Sequence, residues 1–219
     1  MTSDRINTFF VVDVETSGVN PYHDVVFSLG CVVVNYDEEL ATIDANYFYE
    51  TIDQSEWIQA SDWFSTVMDP QSTLSWWLRQ PIDVQKAAWR AEGVRFRERE
   101  VASMFCDFVA GMTAGTGAKP IFVASPASFD KPFVEQMLRN AGEKDPFDYR
   151  TLCVRSMAYG CRTAMPWGAN GWQNRSQVPH HALYDAYGAA LDLQMLLAER
   201  DAIACDDELH LIYSGNNDE

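Results

Sequence analysis

The stretch Phe9–Gly18, FFVVDVETSG, decides how the chain folds. Its first part, Phe9–Val14, is a short continuous apolar and β-branched run, the pattern of a strand buried on both faces. Asp13 and Glu15 stand two residues apart at its end. In a strand, that spacing projects both carboxylates from one face. Two like charges at the edge of a buried strand repel and are poorly hydrated, which calls for a proton or a cation. Oxygen-only donors select hard ions such as Mg²⁺ or Mn²⁺. An ordinary exposed strand end also carries D-x-E, so the pair alone does not make a metal site.

Outward from this strand, Gly18–Asp24 reads as a turn. Val25–Tyr36 and Leu40–Glu50 read as two more strands, joined by a hairpin at Asp37-Glu38-Glu39. Residues 51–70 show no clear period and read as a long loop. A helix begins near Ser72 or Thr73, takes in Leu74, Trp76, Trp77 and Leu78, and is interrupted at Pro81. Arg97–Met112 has the pattern of an amphipathic helix, and Pro120–Ser125 that of a fourth strand. Asp130–Gly142 reads as a helix with Pro near its start and Gly at its end. Ala182–Arg200 is the cleanest helix, closed by a basic residue, and Asp201–Glu219 is an acidic tail with a frayed extremity. Three strands, then helix, strand, helix and a closing helix give a mixed α/β sheet with helices packed on it. Neither G-x-G-x-x-G nor G-x-x-x-x-G-K-[ST] occurs, so nucleotide binding through a Gly-rich phosphate loop has no support.

The 219 residues are enough for one α/β domain, and 47% apolar with 22% charged is an ordinary globular composition. No apolar run approaches the roughly 18–20 residues of a membrane span, so no membrane partner is expected. MTSDRINTFF lacks the layout of a signal peptide, which points to the cytoplasm. The five cysteines include no C-x-x-C pair and read as reduced thiols. A net charge of −16 argues at first against nucleic acid. Its distribution weakens the objection: residues 71–175 hold 14 basic against 10 acidic residues, between two acidic flanks. That layout suits an enzyme gripping a few nucleotides at a strand end better than a protein coating duplex DNA.

Taken singly, the remaining polar candidates have ordinary explanations. Asp130 in SPASFDKPF reads as a helix N-cap, Asp185 in HHALYDAYGAA as an acid favoured by the helix dipole, and His180 as a surface histidine. Trp76 and Trp77 are adjacent and cannot both face the core of one helix, so one could offer a base a stacking surface. Burial of both beneath the long loop is the competing account. Arg90, Arg95, Arg97 and Arg99 could hold phosphates, but a solvated helix face paired with Glu98 and Glu100 explains them better.

In combination, D-x-E on the first strand, F-D after the fourth and H-x-x-x-x-D at the last helix resemble the three exonuclease motifs of the DEDDh (DnaQ-like) superfamily. FFVVDVETSG followed by VVFSLGCVVV looks like the first motif, ASFDKPFV like the second, and HHALYDA like the third, whose usual form is H-R-A-L-D-D-A. STLSWWLRQP (Ser72–Pro81) and FDYRTLCVRSM (Phe147–Met157) resemble segments of RNase AS-like and exodeoxyribonuclease VIII-like exonucleases of bacteria and phages. His181 stands where the superfamily often has Arg, and Tyr184 where Asp is common; neither is an expected ligand. Ala124 and Ser125 also depart from the polar or glycine residues often seen before the second motif. The related DEDDy class would need Tyr at position 181, so the h subtype is preferred.

The resemblance implies an RNase H-like fold, a mixed five-stranded sheet flanked by helices. It also implies an exonuclease domain over residues 1–200 ahead of the tail 201–219. Two Mg²⁺ or Mn²⁺ ions are implied, with Asp13 bridging them, Glu15 and Asp185 completing one shell, and Asp130 supporting the site directly or through water. His180 would take a proton from the attacking water. Thr16, Ser17 and Gly18 after the acid pair, Phe129 beside Asp130, and Trp76 or Trp77 are the substrate-contacting candidates. The implied reaction releases nucleoside 5′-monophosphates from single-stranded 3′ ends, of RNA rather than DNA. A DNA 3′→5′ exonuclease of repair, recombination or proofreading is the alternative enzyme. A non-catalytic interaction module that kept the fold is the alternative class. Oligomeric state is left open, a homodimer included.

Overall fold

In the computed structural model, residues 8–35, 46–60, 63–89, 93, 95–115, 120–160 and 180–214 are described. The expected hairpin at 37–39, the first part of the third strand, Arg90, Pro179 and the end of the tail lie outside them. Strands β1 (Thr8–Thr16), β2 (Val26–Asn35) and β3 (Tyr47–Thr51) pair antiparallel; β4 (Ile121–Ala124) and β5 (Thr151–Cys153) add in parallel to β1. The five-stranded order is β3-β2-β1-β4-β5, the mixed sheet that the motif order implied.

The alternation of β1 divides the core. Phe10, Val12 and Val14 point to one face, beneath α5 (Glu98–Thr113) and α6 (Ala127–Ala141). Phe9 and Val11 point to the other, beneath α8 (Ala182–Ser214). Burying each such side chain stabilises the fold by about 1.5–3 kcal/mol, which fixes the register of the central strand. Asp13 and Glu15 continue the row of Phe9 and Val11, on the α8 face. A third cluster joins Phe27 of β2 to Leu74, Trp77 and Trp89 beside the sheet.

Several boundaries differ from the sequence reading. Residues 51–70 are not one loop: they contain α1 (Ser55–Ala60) and α2 (Trp63–Met68). Six-residue helices are too short to show a period, and tertiary contacts hold the entry to α1. Gln54 donates to the Val26 and Ile52 carbonyls, and the Asp53 carboxylate accepts from the Ser55 amide and hydroxyl. Ser72 caps α3 (Thr73–Leu78) as expected, accepting from the Ser75 amide. Pro81 does more than interrupt, since it opens α4 (Ile82–Ala88), where its missing N–H costs nothing. Helix α6 begins at Ala127, so Asp130 lies in its first turn and is not its N-cap. A short α7 (Val154–Gly160) follows β5. Helix α8 runs past Arg200 to Ser214, because no Gly or Pro interrupts the chain between Gly188 and Gly215. Among the described residues, no helix is long and apolar enough to cross a membrane.

Candidate active site

β1 extends beyond its parallel partner, and that overhang builds the site. The β1–β4 ladder ends at Val11–Val123, whereas β1 continues to Thr16. Past that point the Val14 amide finds no partner in β4. It donates instead to Asp130 Oδ1 at 3.1 Å, which draws the first turn of α6 onto the end of the strand.

The second approach comes from α8. Asp13 pairs with Gly30 of β2, and a Cβ at Gly30 would run into the backbone of Ala182 and Leu183. The bare glycine therefore lets the N-terminus of α8 lie against the sheet directly over the acid pair. Ligand oxygens of Asp13, Glu15 and Asp185 come within 4.8 Å of one another. Glycine inside a β-branched run is a recognised sign of close backbone approach, so FSLGCVVV contained the signal, which the sequence reading did not use.

Burial and mutual repulsion set the charge state of this group. Burial first, then the carboxylates of Asp130, Glu15 and Asp185, raise the Asp13 carboxyl well above its usual range, with Arg155 opposing. Glu15 is likewise raised by burial and by Asp185 and Asp130. Asp130 is pushed up to about 7 by burial, against the stabilising hydrogen bond from Val14. Its Oδ2 is buried without a hydrogen-bond partner. An orphaned oxygen beside three clustered carboxylates is a donor set that fits hard divalent cations.

The two histidines before α8 diverge. His180 adopts φ 60°, a left-handed conformation that costs energy for a residue with a Cβ. Its ring meets the edges or faces of Trp76 and Trp77 at 5.1 and 5.6 Å, both near-perpendicular. Burial lowers its pKa, with Asp185 acting in the opposite direction. His181 instead stacks on Tyr49 at 4.4 Å and meets Tyr184 at 4.7 Å, within the packing between α8 and β3. Tyr49 donates to the Ala87 carbonyl, and burial, with Glu15 nearby, pushes its phenol up to about 12.

The tryptophans separate as adjacency required. Trp77 is buried and donates through Nε1 to the Thr16 carbonyl at 2.9 Å, tying α3 to the end of β1. Trp76 is 36% exposed beside His180. Thr16, Ser17 and Gly18 are buried and engaged in the turn after β1. The Thr16 hydroxyl donates to the Gly18 carbonyl, the Ser17 hydroxyl accepts from the Val25 amide, and Gly18 packs on the Asp24 carboxylate. Phe129 is half-buried and packs on Phe133. Arg97 and Arg99 line a cleft with Glu98, Glu100 and Asn140. Asn140 follows Asp130 by ten residues of α6, about 15 Å along the axis, so these arginines are remote from the acids.

Comparison with known proteins identifies the family and the fold. The family described as the 3'-5' exoribonuclease Rv2179c-like domain matches residues 8–197. No curated protein sequence matches the chain. The fold is similar to the nuclease domain of 3'hExo, a DEDDh family member bound to rAMP. Its TM-score is 0.62 at 14% identity, over 89% of this chain and 94% of that one. It is similar to cell-death related nuclease 4 (TM-score 0.58, 14% identity, 88% of this chain and 64% of that one). It also resembles E. coli ExoI in a complex with single-stranded DNA (TM-score 0.52, 16% identity, 94% of this chain). The chain spans only 43% of that ExoI chain. With one family description covering β1 through the first half of α8, and with its acids gathered at the end of β1, the chain belongs to the Rv2179c-like family of 3′-5′ exonuclease domains.

Proposed function

We propose that the protein is a 3′→5′ exoribonuclease that releases nucleoside 5′-monophosphates from single-stranded RNA ends in the cytoplasm. The observation that carries the reading is the convergence of Asp13, Glu15 and Asp185 within 4.8 Å, with the unsatisfied Asp130 alongside. Asp13, Glu15, Asp130 and Asp185 would hold two Mg²⁺ or Mn²⁺ ions. Bound ions of this kind supply charge stabilisation to the entering and leaving oxygens of an in-line displacement. His180, kept neutral by burial, accepts the proton of the attacking water. Trp76 offers its exposed indole to the terminal base, while Trp77, Phe129 and the Thr16–Gly18 turn support the walls around it. The family description favours RNA over DNA.

The test is a 5′-labelled single-stranded oligonucleotide, prepared as RNA and as DNA of one sequence. With Mn²⁺ or Mg²⁺, the RNA should shorten in a ladder from its 3′ end, faster than the DNA. Chelator or Asp13→Asn should abolish the ladder. Faster DNA cleavage would make the protein a deoxyribonuclease. Hydrolysis undiminished by chelator would end the metal-dependent reading. No hydrolysis of either polymer would favour an interaction module.

A further inference from the structure

Strands β1, β4 and β5 run parallel, so residues just beyond each of them collect at one edge of the sheet. Asp13 and Glu15 end β1, Asp130 follows β4, and Arg155 follows β5 in the first turn of α7. Cys153, the last residue of β5, pairs with Ala124, the last residue of β4, which brings the start of α7 beside the start of α6. Cys153 is half-buried at that junction, between β5 and the start of α7. The Arg155 side chain is exposed, and its charge is felt at both Asp13 and Asp130.

His180 and Arg155 flank the acids from opposite sides. His180 precedes α8, whose N-terminus lies on Gly30 of β2; Arg155 follows β5, on the far side of β1 and β4. One guanidinium is far too little to balance four carboxylates, and Asp13 and Asp130 remain raised despite it. A guanidinium is always charged, and its planar fork of donors matches the oxygens of a phosphate. The other dense arginine group sits at the remote end of α6.

We propose that Arg155 is a substrate-binding residue, whose guanidinium holds a non-bridging oxygen of a phosphate near the 3′ end on the Asp130 side of the site. The proposal rests on the exonuclease reading above. It gives an acidic chain a local cation where the polyanion must enter, and it sets polarity along the strand: phosphate towards β5, terminal base towards Trp76.

The experiment compares wild type, Arg155→Gln and Arg155→Lys. Single-stranded RNA hydrolysis is followed with Mn²⁺ at several salt concentrations, together with equilibrium RNA binding in the Asp13→Asn background. Arg155→Gln should raise KM and weaken RNA binding by about 10- to 100-fold, the scale of a lost charge-assisted hydrogen bond. Log affinity should fall less steeply with log salt, by about 0.7, as one phosphate contact disappears. Arg155→Lys should restore part of the binding by keeping the charge without the fork. Tm and the Mn²⁺ activation midpoint should stay unchanged. Unchanged KM, binding and salt slope would overturn the proposal. So would a shifted Mn²⁺ midpoint or Tm with binding intact, because Arg155 would then serve to balance the acids. An inactive wild type would remove the exonuclease reading, while the binding measurement would still decide Arg155.

Discussion

Asp130 and Lys131 are neighbours on one helix, 2% and 9% exposed, yet the fold treats their charges in opposite ways. The Lys131 ammonium lies 2.7 Å from Asp145 and 3.5 Å from Glu135, over the rings of Phe122 and Phe147 at 4.9 and 5.1 Å. Its charge is satisfied within the protein. Asp130 accepts one amide, leaves its second oxygen unpaired, and faces other acids. A buried unsatisfied acceptor costs about 1–3 kcal/mol, and the chain could have removed that cost with one more lysine. The contrast teaches that, among the described residues, Asp130 keeps an unsatisfied oxygen beside other acids despite Arg155, whereas the Lys131 charge a single peptide away is fully paired. The Lys131 charge is completed within the protein, and the Asp130 oxygen is left as the exonuclease reading requires.

If the clustered acids are the metal-holding groups, the largest effect short of losing the metal should come from His180, at the start of α8 beside Asp185. His180→Ala should lower hydrolysis about 10²–10⁴-fold, the usual worth of a positioned proton acceptor. His181→Ala should change it far less, since that ring is occupied by Tyr49 and Tyr184. A general base works deprotonated, so the wild-type rate should fall as pH drops through the His180 pKa, which burial places below its ordinary 6.5. That limb should vanish in His180→Ala and persist in His181→Ala. The reverse pattern would assign the base to the neighbouring residue.

A smaller effect tests how the site is assembled. Gly30→Ala should push the start of α8 away from Asp13 and cost about 10²-fold in kcat, the scale of an ångström-sized misplacement. Its helix content should match wild type. Full activity would mean that the close approach over Gly30 does not set the position of Asp185.

Much of this was legible in the sequence because its signals are local. FFVVDVE opens with the continuous apolar run of a central strand, and its acids had to share the face of Phe9 and Val11. The adjacent tryptophans had to diverge, and they do. What escaped depends on tertiary contact. The helices within residues 51–70 are too short for periodicity, and the entry to the first is held to β2 by Gln54. The docking of Asp130 on β1 depends on the Val14 amide, which has no partner in β4 and donates to a carboxylate 116 residues away, beyond any sequence window. Arg155 gains meaning only from the parallel register of β4 and β5.

The central claim, that this acidic edge is built to receive divalent cations, is tested most directly by thermal unfolding in chelator and in Mn²⁺ between pH 5 and 8. The folded Asp130 pKa of about 7 lies above its ordinary 3.8. Its stabilising contribution is therefore full below about 4 and is lost as pH rises through about 7; Asp13 and Glu15 shift in the same direction. In chelator, wild-type Tm should fall by several degrees towards pH 8, and Mn²⁺ should restore it. Asp130→Asn should have the higher Tm at pH 8 in chelator, with a weaker response to Mn²⁺. Asp145→Ala, which uncovers Lys131, should lower Tm at every pH and keep the full Mn²⁺ response. A wild-type Tm in chelator that is flat or rising from pH 5 to 8, and indifferent to Mn²⁺, would contradict the account.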